Sequence, residues 1–324
     1  MFTASELTQK VNTHVAGLRF DRKPAGLYAP VKYVLSPGGK RIRPVLMLMA
    51  YNLFRDDVDA ILNPAAGIEV YHNYTLLHDD VMDHADMRRG KATVHKVWDE
   101  NTAILSGDAM FVLAYQLMAR CPQAVAREVL DLFNLTSLEI CEGQQLDMEF
   151  ERRRDVSAEE YLEMIRLKTS VLLAASLKIG AIMGGATAGQ ADGLYNFGVN
   201  LGMAFQLKDD LLDVYGETAT FGKKIGGDIV CNKKTFLLIK ALEGADSRQL
   251  AQLITWLDRT AYDPEEKVKA VTALYDEIGV KAISESKIAE YTRLAVAELD
   301  AVDVPQEKKQ GLREMMNALM YRQS

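Results

Sequence analysis

Between Pro122 and Pro264 the chain contains no proline, and its apolar residues recur there at intervals of three and four rather than two. Proline is the residue that breaks a helical hydrogen-bond ladder, so a long run without it and with this repeat reads as a succession of long helices. Two helix starts are legible. Ser157 followed by Glu160 forms a capping box, and Asp263-Pro264 with Glu266 combines an N-cap with proline in the first turn. After the second start, Val268, Val271, Leu274, Tyr275 and Ile278 make an apolar stripe that Gly279 should stop. Strand signals are sparse, and the expected fold class is all-α.

Composition narrows what such a helical protein does. With 324 residues and no Gly/Ser-rich linker, a single domain over 1–324 is expected. The longest apolar run, Val171 to Ala186, is interrupted by Lys178 and several glycines, which suits a buried helix and not a stable membrane insertion. Met1 to Lys10 carries Glu6 and Lys10 without the apolar core of a secretory signal, so the cytoplasm is the expected location. Cys121, Cys141 and Cys231 lack metal or redox spacing and read as reduced thiols. A formal charge of −7 disfavours nucleic acid as a partner. Basic islands stand against this acidic background: Lys40, Arg41 and Arg43; Arg88, Arg89 and Lys91; Lys223 and Lys224; Lys233 and Lys234. The first three adjoin glycine, which permits close backbone approach, and small anions are the expected ligands.

One short pattern occurs twice. Asp79-Asp80-Val81-Met82-Asp83 and Asp209-Asp210-Leu211-Leu212-Asp213 are both DDxxD. On a helix turning about 100° per residue, the three carboxylates span an arc of roughly 100° and share a face. Such neighbours repel, and a multivalent cation preferring oxygen ligands, magnesium or calcium, would relieve the repulsion. A lone copy would equally suit a solvated acidic helix face; the duplication favours metal.

Each copy continues a polar seam along an otherwise apolar helix. His72, Thr75, Asp79 and Asp83 run beside Ile68, Tyr71, Tyr74, Leu76 and Leu77, and Gly202, Gln206, Asp209 and Asp213 run beside Leu201, Phe205 and Leu212. Buried polar seams need partners, and bundles build metal sites from inward carboxylates. His72 taken alone reads equally well as a structural histidine. Downstream of Ser157, Tyr161, Met164, Ile165 and Lys168 fall on one helical face, where the lysine must snorkel or meet an anion.

Taken together these residues resemble the trans-isoprenyl diphosphate synthase family, of the short-chain type. Gly38-Gly39-Lys40-Arg41-Ile42-Arg43-Pro44 is similar to its GGKRxRP element, and His78 to Asp83 with Arg88-Arg89-Gly90 to its first aspartate-rich motif. Phe205 to Asp213 is similar to its second, and Lys168-Thr169, Gly222-Lys223 and Asn232-Lys233-Lys234-Thr235 also correspond. The resemblance implies a bundle of long antiparallel helices around a central cavity, usually homodimeric. Asp79, Asp80, Asp83, Asp209, Asp210 and Asp213 would supply the ligands of three magnesium ions on an allylic diphosphate. Arg88, Lys168, Lys223 and Lys233 would clamp that diphosphate. Gly39, Lys40, Arg43, His72 and Arg89 would belong to the isopentenyl diphosphate site, while Thr169 and Gln206 would face the carbocation.

The implied reaction is ionisation of the allylic diphosphate, attack by the isopentenyl double bond, and proton loss to released diphosphate. Two departures are visible. Lys91-Ala92 stands where many relatives carry proline at the second position, and Tyr321-Arg322-Gln323-Ser324 offers one cation where some relatives have a basic lid. A terpene cyclase would lack the second DDxxD and the GGKRxRP element, and a non-catalytic partner subunit would have lost aspartates. Product length is less legible. In relatives a bulky residue five places before the first motif floors the elongation cavity; here that is Tyr74, with Tyr71 one turn further, which points to C15 or C20. A longer-chain synthase is the alternative. Tyr74 lies roughly 140° around the helix from Asp79, so an ordinary core role competes with the floor role.

Overall fold

The computed structural model describes residues 1–36, 38–216 and 225–320. In chain order its first elements are α1 (Ala4–Ala16), α2 (Ala25–Leu35), α3 (Ile42–Asn52), α4 (Leu62–Met82), the strands β1 (Met87–Arg88) and β2 (Lys91–Ala92), α5 (Val94–Val97), α6 (Glu100–Met118) and α7 (Ala126–Arg152). There follow α8 (Ala158–Ile165), α9 (Val171–Gly184), α10 (Ala188–Tyr215), α11 (Gly227–Val230), α12 (Phe236–Gly244), α13 (Ser247–Asp258), α14 (Pro264–Ile278), α15 (Val280–Ala301) and α16 (Gln306–Met320). The chain is all-α, as the proline-free periodicity requires. The Ser157–Glu160 capping box is complete at the start of α8, and α14 begins on Asp263 and stops at Gly279 in the left-handed region, φ 83°. Among the described residues the three cysteines are free. One stretch, Ala158–Gly184, is long and apolar enough to cross a membrane by length and composition, but 83% of its most apolar window is buried.

Two compact units emerge. The first comprises Met1–Asn134, Ala175–Leu194 and Asp303–Leu312; the second comprises Leu135–Ala174, Tyr195–Val302 and Arg313–Ser324. In the first, α3 is buried from Pro44 to Asn52. Helix α4, which carries the first aspartate motif, lies tightly on α6. A Cβ on Gly67 would come within 3.0 Å of the Ala114 carbonyl, and one on Gly107 would strike the His78 ring at 2.2 Å. The β1–β2 hairpin turns on Arg89 and Gly90 at φ 51° and 73°, the double left-handed turn that suits the twist of a two-residue hairpin.

The second unit corrects one expectation. Periodicity predicts an unbroken α-helix from Ser157 through Lys168, yet Arg166–Ser170 forms a π-turn between α8 and α9. The wider turn rotates Lys168 off the apolar face of α8; π-turns of this kind recur at functional sites. Glycines hold it on both sides. A Cβ on Gly143 of α7 would lie 2.4 Å from the Lys168 amide nitrogen, and one on Gly202 of α10 would lie 2.6 Å from Ser170 Cα. Both obstacles are backbone atoms or sit directly on them, so neither can swing away. Gly143→Ala should therefore destabilise the fold by about 1–3 kcal/mol, the usual range for overpacking. Urea titration would read this as a lowered midpoint at unchanged slope, and an unaltered midpoint would mean that the π-turn is free to move.

Candidate functional site

In the first unit the loop Gly38-Gly39-Lys40 leads into Arg41, whose backbone is left-handed at φ 47°. This conformation turns the Arg41 side chain inward, where Nη1 donates to Glu69 Oε1 of α4 at 2.5 Å with both side chains buried. Glu69 Oε1 also accepts from Asn73 Nδ2 at 2.8 Å, and Asn73 Oδ1 accepts from Arg89 Nη1 at 3.3 Å. Gly39 lies flat against that guanidinium; its added Cβ would be 3.4 Å from Arg89 Nη1. Arg43, two residues past Arg41 on α3, donates from Nη1 to His72 Nε2 at 3.1 Å. A guanidinium only donates, so His72 Nε2 must accept and the imidazole is neutral. Burial, then the charges of Arg43, Arg89, Arg88 and Arg41, depress the imidazole well below its ordinary value. Burial also holds the Arg43 guanidinium down at about 10, with Glu69 opposing and Arg89 reinforcing, so it stays charged at neutral pH.

The two kinds of arginine differ in partner. Arg41 has Glu69, and Arg88 has Asp80 at 2.6 Å and Asp79 at 3.4 Å. Arg43 and Arg89 form no ion pair among the described residues, and the Arg43 Nε is buried without an acceptor. Two guanidiniums without carboxylate partners thus stand beside a neutral imidazole. Lys40, next to Gly39 in the chain, is exposed.

The first aspartates stand at the end of α4. Asp79 is partly buried, Asp80 is 5% exposed, and Asp83 lies just beyond the last helical residue as its exposed C-cap. Burial raises the Asp80 carboxyl despite Arg88, and Asp79 adds to the rise. Such crowding fits a site awaiting more positive charge.

In the second unit the π-turn presents Lys168 and Thr169. Lys168 Nζ donates to Asp147 Oδ2 at 2.6 Å, and Lys233 Nζ approaches the same oxygen at 4.0 Å. Burial pushes the Asp147 carboxyl up, but Lys233 and Lys168 outweigh it and hold the group below the ordinary carboxylate range. Thr169 Oγ1 donates to Gln206 Oε1 at 3.1 Å, and Gln206 Nε2 donates to Asp210 Oδ1 at 3.0 Å. Tyr161 donates its hydroxyl to Asp210 Oδ2. Burial, then the charge of Asp228, pushes the Asp210 carboxyl well above its ordinary range. Asp213 Oδ2 accepts from the Asp228 amide at 2.9 Å, and Asp209 is partly buried one turn before it on α10.

Do these carboxylates fit magnesium? Among the described residues no three acidic, histidine or cysteine side chains converge as a ready ligand shell. The donor set nevertheless suits it: all oxygen, partly buried, with burial first and neighbouring carboxylates second raising Asp80 and Asp210. Magnesium is ordinarily held by one or two carboxylates with substrate phosphates completing the shell, so an all-protein cage is not required.

Of the residues the sequence motifs pointed to, the first unit joins Arg43 to His72 and Arg89 to Asn73, while Arg88 pairs with Asp79 and Asp80 and Lys40 is exposed. The second unit brings Lys168, Thr169, Gln206, Asp210 and Lys233 into one network. Lys223, Gly222 and the tail Tyr321 to Ser324 lie outside the described residues. Sequence reasoning missed Glu69, Asn73, Asp147, Tyr161 and Asp228. A signal existed for Asp147: Gly143-Gln144-Gln145-Leu146-Asp147 places an acid one helical turn after a packing glycine. Tyr74 proves to be one member of a closed aromatic circuit. Ring centroids run Tyr71–Tyr74 5.4 Å, Tyr74–Phe111 5.3 Å, Phe111–Tyr115 4.9 Å, Tyr115–Phe133 4.7 Å and Phe133–Tyr71 5.1 Å.

Comparison with known proteins agrees with this geometry. Residues 24–275 match the family model for polyprenyl synthetase. The short chain isoprenyl diphosphate synthase of Methanocaldococcus jannaschii is 42% identical over 253 residues, 78% of this chain and 77% of that protein. The geranylfarnesyl diphosphate synthase of Natronomonas pharaonis is 41% identical over 256 residues, 73% of this chain and 75% of that one. A crystal structure of a geranylgeranyl pyrophosphate synthase superposes with a TM-score of 0.93 at 41% identity, covering 100% of both chains.

The neutral His72 generates a pH prediction. Its folded value lies below the unfolded one near 6.5, so below that pH the unfolded chain takes up a proton that the folded chain refuses. The stability contributed is present above pH 6.5 and is lost as pH falls, by up to about 1.4 kcal/mol per unit. His72→Gln keeps an acceptor for Arg43 and should flatten the acid limb between pH 6.5 and 5. Unfolding curves in urea at several pH values check this; parallel limbs in both proteins would mean that His72 is protonated in the fold.

Proposed function

The chain belongs to the polyprenyl synthetase family and is a prenyltransferase, and on that premise we propose that it joins an allylic prenyl diphosphate to isopentenyl diphosphate, head to tail, with magnesium. The observation that carries the substrate assignment is the pairing of Arg43 and Arg89 with a neutral histidine and an amide instead of carboxylates. Together with Lys40 and the close approach allowed at Gly39, they would hold the isopentenyl diphosphate.

Asp79, Asp80 and Asp83, and Asp209, Asp210 and Asp213, would hold the magnesium ions that escort the allylic diphosphate, three by family resemblance. Bound magnesium would neutralise charge growing on the departing diphosphate. The protein's own part is then electrostatic and steric. Arg88 would turn from Asp79 and Asp80 to the diphosphate, and Lys168 and Lys233, preset on Asp147, would add two ammonium groups; Lys223 would be a further clamp. As the allylic C–O bond ionises, the Thr169 oxygen and Gln206 offer dipoles to the cation. The isopentenyl double bond attacks it, a carbon–carbon bond forms, and the proton passes to the released diphosphate. A homodimer is supported by exposed apolar residues on α6 (Ile104, Leu105, Val112) and on α7 (Leu135, Leu138). A cytoplasmic site of action suits the diphosphate substrates.

Activity with dimethylallyl, geranyl or farnesyl diphosphate and isopentenyl diphosphate should require magnesium and should fall by orders of magnitude in Asp79→Ala and in Asp209→Ala, with helicity kept. Turnover near wild type in either variant, or undiminished in excess chelator, would sink the metal assignment.

For product length the aromatic circuit supports C15 to C20. Tyr74 and Phe111 are only partly buried while Tyr71 and Phe133 are buried behind them, so the first two would meet the growing chain. The relative that makes geranylfarnesyl diphosphate marks one unit more as the next alternative. Tyr74→Ala should lengthen products by whole five-carbon units, and Phe111→Ala should do so further in combination. Chromatography of the dephosphorylated products is the check, and an unchanged distribution in the double variant would return both rings to the ordinary core.

A further inference from the structure

Lys267 is a lysine in the wrong place for solvent. It lies on α14 of the second unit, is 1% exposed, and among the described residues forms no ion pair. Burying an ammonium without a counter-charge is costly unless its three donors are used well. Here Nζ donates to Asn232 Oδ1 at 2.6 Å and to the Val230 carbonyl at 3.1 Å, and it stands 4.3 Å from the centre of the Tyr262 ring. The Tyr262 hydroxyl donates to the same Val230 carbonyl at 2.9 Å.

What Lys267 grips is the segment that carries Lys233. Asn232 has a left-handed backbone, φ 56°, and its Nδ2 donates to the Leu257 carbonyl at 3.2 Å, so its side chain bridges Lys267 and the end of α13. The next residue, Lys233, is tied by its amide to the Asp228 carbonyl at 2.9 Å and faces Asp147. At the other end of the segment the Gly226 and Asp228 amides donate to Asp213, at 2.6 Å and 2.9 Å. The segment is thus tethered in front by an aspartate of the second motif and behind by a buried ammonium. Asp228, Asn232, Lys233 and Lys267 line a common cavity.

We propose that Lys267 is a positioning residue for the diphosphate site: through Asn232 it sets Lys233 beside Lys168, so that both ammonium groups are in place before the allylic diphosphate arrives. The inference rests on the reading of Lys168 and Lys233 as diphosphate ligands. It also accounts for the asparagine that precedes Lys233. Asparagine tolerates the left-handed region and offers both an acceptor to Lys267 and a donor to Leu257, which glycine could not.

The test compares wild type with Lys267→Met, Lys267→Arg, Asn232→Gly, Lys233→Ala and the double variant Lys233→Ala/Lys267→Met. Asn232→Gly keeps the backbone conformation and removes the grip, so it serves if Lys267→Met does not fold. Lys267→Met and Asn232→Gly should each raise the KM for the allylic diphosphate roughly tenfold, the size of one charge-assisted hydrogen bond. The KM for isopentenyl diphosphate should stay put, Lys267→Arg should recover part of the loss, and the double variant should match Lys233→Ala alone. A second readout needs no turnover: acetylation of Lys233 in the substrate-free protein, followed by mass spectrometry, should quicken severalfold in Lys267→Met and Asn232→Gly. Equal changes in both KM values, multiplying effects in the double variant, or unchanged Lys233 acetylation would each overturn the proposal. If Lys233→Ala left the allylic KM untouched, the diphosphate reading would fall, and the acetylation rates would still decide whether Lys267 positions Lys233.

Discussion

The buried pair between Arg41 and Glu69 is the constraint on which the placement of Arg43 and Arg89 in the first unit depends. It joins the glycine-rich loop to α4, and it does so at the price of a left-handed backbone at Arg41. Removing two charges from water roughly cancels their attraction, so such a pair is weak evidence for stability and better understood as a device for placement. Its placement effect is direct. Arg41 orients the start of α3 and hence Arg43; Glu69 orients Asn73 and hence Arg89. One carboxylate is used up on Arg41, and Arg43 and Arg89 are left with neutral partners.

The second unit applies the same logic with the signs arranged differently. Asp147 holds Lys168 directly and Lys233 at longer range, while Asp210 is satisfied by neutral donors from Tyr161 and Gln206. Cations wait on a carboxylate, and carboxylates wait on neutral groups. The π-turn is what brings Lys168 and Thr169 to this network, and it exists because Gly143 and Gly202 leave room for its backbone.

Much of this was legible in the chain. The proline-free repeat gives long helices because backbone hydrogen bonding is local, and capping at Ser157, Asp263 and Gly279 is read from neighbours within four residues. The duplicated DDxxD was legible for the same reason: three carboxylates within one turn share a face whatever the helix packs against. Lys40, Arg43, His72 and Arg89 were recognisable as a basic set by their resemblance to a family, yet nothing local said which would be neutralised.

What only the tertiary structure decided are pairings between residues far apart in sequence. Glu69 meets Arg41, Asp147 meets Lys168, Tyr161 meets Asp210 and Lys267 meets Asn232, each between separate elements of the chain. Tyr74 acquires its neighbours Phe111, Tyr115 and Phe133 in the same way. The π-turn is the sharpest instance, since its own residues read as ordinary helix and its cause lies in glycines on two other helices. Helical periodicity reports which face of a helix is apolar; it carries no information about which side chain of another helix stands opposite. The sequence by itself therefore determined the helical class, the capped helix ends and the identity of the charged groups, but not the π-turn. Tertiary packing decided their charge states and partners, because burial and neighbouring charge act through space and not along the chain.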